Sequence, residues 1–219
     1  MKASRIFFHS IRIVAAISLT AHAASARPAQ DSATKPPENA AAKPQEKSPQ
    51  KSGEKPAPKL PAEIELLETR IRFEANGDSH KEVHARVKIN DELGTRQFAR
   101  LNFDFNRSFE QIEIPLVRIT HPSGGTADVL PSAITDTPNP AVINAPAYQD
   151  VRVKSVRILG LEPGDNLEYR VITTVSHHPL APDFFLTHDF SRDGVVTQEL
   201  FELDLPAART VHLLSLIHI

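Results

Sequence analysis

Val151-Arg152-Val153-Lys154-Ser155-Val156-Arg157-Ile158-Leu159, the turn Glu162-Pro163-Gly164-Asp165, and Leu167-Glu168-Tyr169-Arg170-Val171-Ile172-Thr173-Thr174-Val175 form the stretch that decides the fold. Both flanks are dense in β-branched and apolar residues. In the second, Leu167, Tyr169, Val171, Thr173 and Val175 fall on one parity. That period of two fits a strand with one buried face and no helix. At the turn, proline presets φ and glycine tolerates positive φ. The stretch predicts two strands paired antiparallel across Pro163-Gly164.

Working outward, the same period recurs. Leu67, Thr69, Ile71 and Phe73 alternate with Glu68, Arg70 and Arg72. Asn76-Gly77 then signals a hairpin, and Val83, Ala85, Val87 and Ile89 continue the pattern. Asp91–Gly94 reads as a turn. Phe98–Phe105, Phe109–Thr120, Thr126–Leu130, Phe184–Phe190 and Glu199–Leu205 read as further strands. Pro115, where the apolar phase switches, predicts a bulge or an edge. Residues 131–149, with four prolines, read as a long irregular connection. No segment after residue 60 holds a 3.6 period over three turns. The expected fold class is all-β, an antiparallel immunoglobulin-like β-sandwich over residues 61–212.

Before it lie two segments of other character. Residues 1–26 read as a signal peptide: Lys2, Arg5 and Arg12, the apolar run Ile13–Ala21, then Ala24-Ser25-Ala26 as a small-x-small site cleaved after Ala26. The apolar run is too short to span a bilayer, which argues against a stable membrane span. Residues 27–60, rich in Pro, Ala and Lys, read as a disordered linker, because they cannot bury enough apolar surface to offset their ordering entropy. A basic tether touching the cell wall is the functional alternative. The expected location is periplasmic or extracellular, in a bacterium.

Charge and cysteine exclude whole classes of function. The 219 residues carry 25 basic and 27 acidic side chains, unevenly placed. Residues 1–26 carry +3, residues 27–60 carry +3 and residues 61–219 carry −8. An acidic folded part speaks against nucleic acid, whose binding needs a basic surface. The chain has no cysteine, so disulfides, thiolate metal sites and a thiol nucleophile are out.

The remaining candidates are polar side chains. His80 and His84 have the spacing of a helical metal pair, but on a strand four residues span about 13 Å. His177, His178 and His188, with Asp183 and Asp189, form the densest cluster of metal-ligating types. Pro179 and Pro182 mark that region as a loop, so the histidines are read as loop residues and only as weak metal candidates. Ser123, beside Gly124-Gly125, lacks a nucleophile-elbow pattern and reads as a turn. The expectation is no catalytic residue, no metal and no cofactor.

Leu67 to about Ala208 resembles the bacterial domain of unknown function 3857. The resemblance rests on the Arg70–Phe73 strand with Asn76-Gly77, on Val83–Leu93, and on the series Pro122, Gly124 or Gly125, Asp128 and Val129. Tyr148–Lys154 followed by Leu161–Arg170 matches best, with Gly160 where the family often has proline. The resemblance implies an immunoglobulin-like sandwich lacking a known active site, placed before a transglutaminase-like domain in exported proteins. It implies a truncated chain whose module scaffolds or presents substrate to a missing downstream thiol domain. Residues 213–219 read as an artefactual or truncated tail. The alternatives are an autonomous envelope module that binds peptide or glycan, and an enzyme acting through the His177–Asp189 loop.

Overall fold

The computed structural model describes residues 8–16, 60–190, 196–209 and 212. The described residues belong to one compact unit, Met1–Ile17 with Leu60–Ile219; a second unit, Ser18–Lys59, lies outside them. Cleavage at Ala26, the linker to residue 59 and the 213–219 tail also lie outside them. The chain is all-β, as its alternation requires. Its strands are β1 (Phe8–Ala16), β2 (Ala62–Phe73), β3 (Ser79–Ile89), β4 (Arg100–Asn106) and β5 (Glu110–Thr120). They continue as β6 (Thr126–Asp128), β7 (Ile134–Pro138), β8 (Val151–Arg157), β9 (Asn166–Val175) and β10 (Gln198–Pro206).

A large sheet runs β1-β10-β2-β3-β9-β5-β6, and a small one runs β4-β8-β7. The main core lies between them. Val87, Ile89, Val117, Ile119 and Leu167 from the large sheet meet Leu101 and Val156 from the small one. Phe105, Ile112 and Val171 extend this core. Beyond it, Ile71, Phe73, Phe201, Leu203 and Leu205 pack under Phe184, Leu186 and Phe190.

Several expectations hold in detail. The Asn76-Gly77 turn joins β2 to β3 in antiparallel register from Phe73↔Ser79, with Gly77 at φ 91°. The register of β5 shifts between Glu113 and Leu116, around Pro115. Leu167 and Val171 are buried, in the expected phase.

Others are corrected. β8 and β9 do not pair. β8 joins β4 and β7 in the small sheet, whereas β9 lies between β3 and β5. The connection from Ile158 to Asp165 buries Ile158 and Leu161 in the core, so it arches between sheets and does not close a hairpin. The antiparallel expectation fails at one place: β10 runs parallel to β2. Asp91–Gly94 is the start of a short helix, α1 (Glu92–Phe98), capped by the Asp91 carboxylate on the Gly94 N–H. Residues 131–149 contain β7 and three single 3₁₀ turns, each with proline at its start. Phe184–Phe190 is not a strand; it packs over the sheet with Phe184, Leu186 and Phe190.

Phe8–Ala16, within the segment read as a leader, forms a strand. It is the edge strand of the large sheet, antiparallel to β10 from Phe8↔Pro206 to Ala16↔Gln198.

Candidate functional site

The polar face of the large sheet carries an ordered pattern of charge. Alternation puts Glu68, Arg70 and Arg72 of β2 on the face opposite the core. The register then sets Glu68 beside His84, and Arg70 between Glu82 and Glu202. Arg70 is 2.6 Å from Glu68 and 3.5 Å from Glu202. His84 stands between two carboxylates, 2.8 Å from Glu168 and 3.7 Å from Glu68. Arg170 reaches Glu82 at 3.2 Å, and Arg118 binds both oxygens of Asp128. Asp128 is held below the usual carboxylate range by that hydrogen bond. Opposite charges on neighbouring strands support the sheet, and they present a face of alternating sign.

His80 and His84 share β3 but stand apart, as a strand requires. His80 pairs in register with Arg72 and Thr174, and His84 with Glu68 and Arg170.

The segment after β9 holds the other candidates. His177 has φ 56°, and its N–H donates to the Asp78 carboxylate at 3.0 Å. That bond, with Asn76, draws the Asp78 carboxyl below its ordinary value. The His178 ring stands edge-on to Phe109, 4.8 Å between centroids, and its Nδ1 accepts from the Leu180 N–H. His188 stacks on Phe201 at 4.1 Å and meets Phe190 edge-on at 4.7 Å. Its Nε2 lies 3.3 Å from Glu199, a carboxylate only 4% exposed. Burial pushes the His188 imidazole below its ordinary value of 6.5, against the opposing pull of Glu199.

The three histidines are thus engaged separately. Asp183 is exposed and 4.0 Å from Arg209, and Asp189 is exposed. Among the described residues, no group of three or more His, Asp or Glu is placed to share a metal ion. Ser123 sits exposed in the turn between β5 and β6, where Gly124 donates to the His121 carbonyl.

One polar pair escaped the sequence reading. Asp165, 1% exposed, accepts from His121 Nδ1 at 2.9 Å and from the Glu162 N–H at 2.8 Å. The Lys88 ammonium donates to the neighbouring Gly164 carbonyl. Burial of a carboxylate is tolerated when its oxygens are hydrogen-bonded, so the pair ties the β5–β6 turn to the inter-sheet arch. Forty-four positions separate the two residues, and no local pattern announces them.

The surface of the described residues includes two clefts. One, of about 240 Å³, is lined by Arg107, Val142, Ile143, Gln149 and Arg152. Arg152 is already held by Asp136 at 2.6 Å. The other, of about 210 Å³, lies between Arg107, Glu110 and His177. Among the described residues, no helix is long and apolar enough to cross a membrane.

Fold and surface together define an all-β module with a charged open face and a loop-covered sheet end. Residues 75–216 match the model of the family described as "Domain of Unknown Function with solved-structure structure (DUF3857)". The chain belongs to that family. No curated protein matches it. Among solved structures, one described as a "putative protease" from Parabacteroides distasonis ATCC 8503 is similar over 53% of this chain, at 15% identity and a TM-score of 0.51. This chain spans only 23% of that protein's length. The CBM3a-L domain from scaffoldin cipA of the Clostridium thermocellum cellulosome is similar over 52% of this chain and 68% of its own. At 10% identity and a TM-score of 0.31, that likeness carries no argument.

Proposed function

We propose that this chain is an exported, non-catalytic module of immunoglobulin-like build that scaffolds or presents substrate to a transglutaminase-like thiol domain in a longer protein. One observation carries the reading. About half of this chain (53%) is similar in fold to a stretch that makes up 23% of a longer solved chain, so a related fold is one part of a larger polypeptide there. The leader-like residues 1–26 and the Pro-rich residues 27–60 support export and a spacer. The charged face and the edge of the large sheet offer contact surfaces, and in this reading the cysteine-free chain leaves thiol chemistry to the proposed further domain.

The uninterrupted sequence of the locus tests this reading. A frame that continues past residue 219 into a cysteine followed by histidine and aspartate is the expected result. A frame that closes without any cysteine contradicts it. N-terminal sequencing of the exported protein should begin at Arg27, and an intact Met1 on periplasmic material would refute export by this leader.

A further inference from the structure

We propose that the outer edge of β10 is a strand-addition site for an extended peptide, and that Phe8–Ala16 occupies it as such a peptide would. The inference rests on the reading of the chain as a presenting module and names what is presented. The ligand is an extended segment with aliphatic residues at alternate positions and a cation between them.

β10 has two edges. Its inner edge is taken by β2, in parallel register from Glu199↔Leu67 to Asp204↔Arg72. Its outer edge is taken by β1 through nine consecutive antiparallel pairs without a register break. Only residues 17–61 tether β1 to β2, and β1 lies inside the segment whose sequence reads as a removable leader. The pairing is therefore with a separable segment.

Apart from its carboxylates, Glu199, Glu202 and Asp204, little in β10 blunts that edge. Sheets protect edges with lysine, proline, bulges or short strands. β10 runs for nine residues, contains no lysine, and has its single proline at the last position. Main-chain ladders supply affinity in strand addition, and alternate side chains supply specificity. Here the alternation is explicit. Phe201 and Leu203 lie on the apolar face, and in register Ile13 stands opposite Phe201 and Ile11 opposite Leu203. Between them Arg12 stands opposite Glu202, which favours a cation at that position. After β10, Arg209 donates to the Pro182 carbonyl and to the Ala75 carbonyl, which follows β2.

The test uses the full chain and a fluorescent nonapeptide, FHSIRIVAA, the sequence of residues 8–16. Wild type is compared with an Ile11→Pro/Arg12→Pro variant by fluorescence anisotropy. Adjacent prolines remove a ladder N–H whichever parity donates, so β1 is unseated. The variant should keep a cooperative melt and bind the peptide at least tenfold more tightly than wild type. Glu202→Arg on that background should weaken binding at least fivefold, and an Arg12→Glu peptide should restore it. Equal binding by both proteins, or no binding by a folded variant, overturns the proposal. Loss of the cooperative melt also overturns it, because β1 would then be an integral strand. Dimerisation of the variant in place of peptide binding would make a second copy the occupant, and overturns it too. None of these outcomes depends on a downstream thiol domain, so failure here is distinct from failure of the presentation reading.

Discussion

The apolar face of the large sheet is closed by two different covers. Over β3, β9 and β5 the cover is the small sheet, and Leu101 and Val156 complete a core around Leu167. Over the end of β2 and over β10 the cover is Phe184–Phe190, which has no strand pairing. The sheet beneath is continuous and alternates in both regions, with register shifts in β2 between Ile64 and Leu66 and in β5 between Glu113 and Leu116. A strand cover satisfies its own backbone in a ladder and adds side chains at every second position. An irregular cover depends on a few large side chains: Phe184 stacked on Phe73 at 4.0 Å, and Phe190 edge-on to His188. Fewer buried contacts and fewer ladder bonds make a region open more readily. The core half should therefore carry the stability, and the loop half should be the part that yields.

Substitution in each half should separate them. Leu167 is 0% exposed between the sheets, so Leu167→Ala should cost about 3–4 kcal/mol through lost burial and a cavity. Phe184 is half-buried, and Phe184→Ala should cost roughly 1–2 kcal/mol. Urea unfolding of both variants measures this order, and equal costs would remove the distinction.

The contact between the halves gives the next effect. Gly77 combines φ 91° with a close approach: a Cβ there would lie 2.8 Å from the Pro182 Cα. Gly77→Ala should cost about 2 kcal/mol from strain and overpacking. Thermal unfolding reads it, and an unchanged Tm would mean that the cover does not press on the hairpin turn.

Within the core half, the phase of β9 sets a smaller contrast. Val171→Ala should cost about 1–2 kcal/mol. Arg170 points to the charged face, 3.2 Å from Glu82 and 43% exposed, so Arg170→Ala should cost only about 0.5 kcal/mol. A larger cost for Arg170 in chemical denaturation would reverse the strand's phase.

The smallest effect is a pH dependence confined to the loop half. Burial lowers His188 from 6.5. Below pH 6.5 the unfolded chain therefore binds this proton before the folded one does, and stability falls as pH falls through that window. His188→Gln should flatten the slope between pH 7 and 5. An unchanged slope would show that the ring is not what links this cover to pH.

The two halves also differed in how far their sequences disclosed them. The strands of both halves follow from alternation, because one buried face imposes a period of two on Leu67–Phe73, Val83–Ile89, Leu167–Val175 and Glu199–Leu205, and only the cover of the loop half does not. Asn76-Gly77 and Pro115 marked their breaks correctly, since positive φ and a missing N–H are local properties. Sheet assignment was not legible. Pro163-Gly164 reverses the chain, but the burial of Ile158 and Leu161 sends β8 to the other layer, and that is a property of the assembled core. Phe184–Phe190 has strand-like composition yet lies across a sheet, which only tertiary packing decides. The polar pairs were equally hidden. His84 with Glu168, and His121 with Asp165, meet only once strand order is fixed.

Native-state hydrogen exchange on the full chain, resolved by mass spectrometry, tests the two-cover account most directly. Amides of β3 and β9 should exchange only through global unfolding, with opening free energies that fall in step with urea. Amides of Phe184–Phe190 should exchange through a smaller opening that urea barely affects, and that opening should grow easier in Phe184→Ala. Protection of Phe184–Phe190 equal to that of β9, lost in the same global step, would contradict the account.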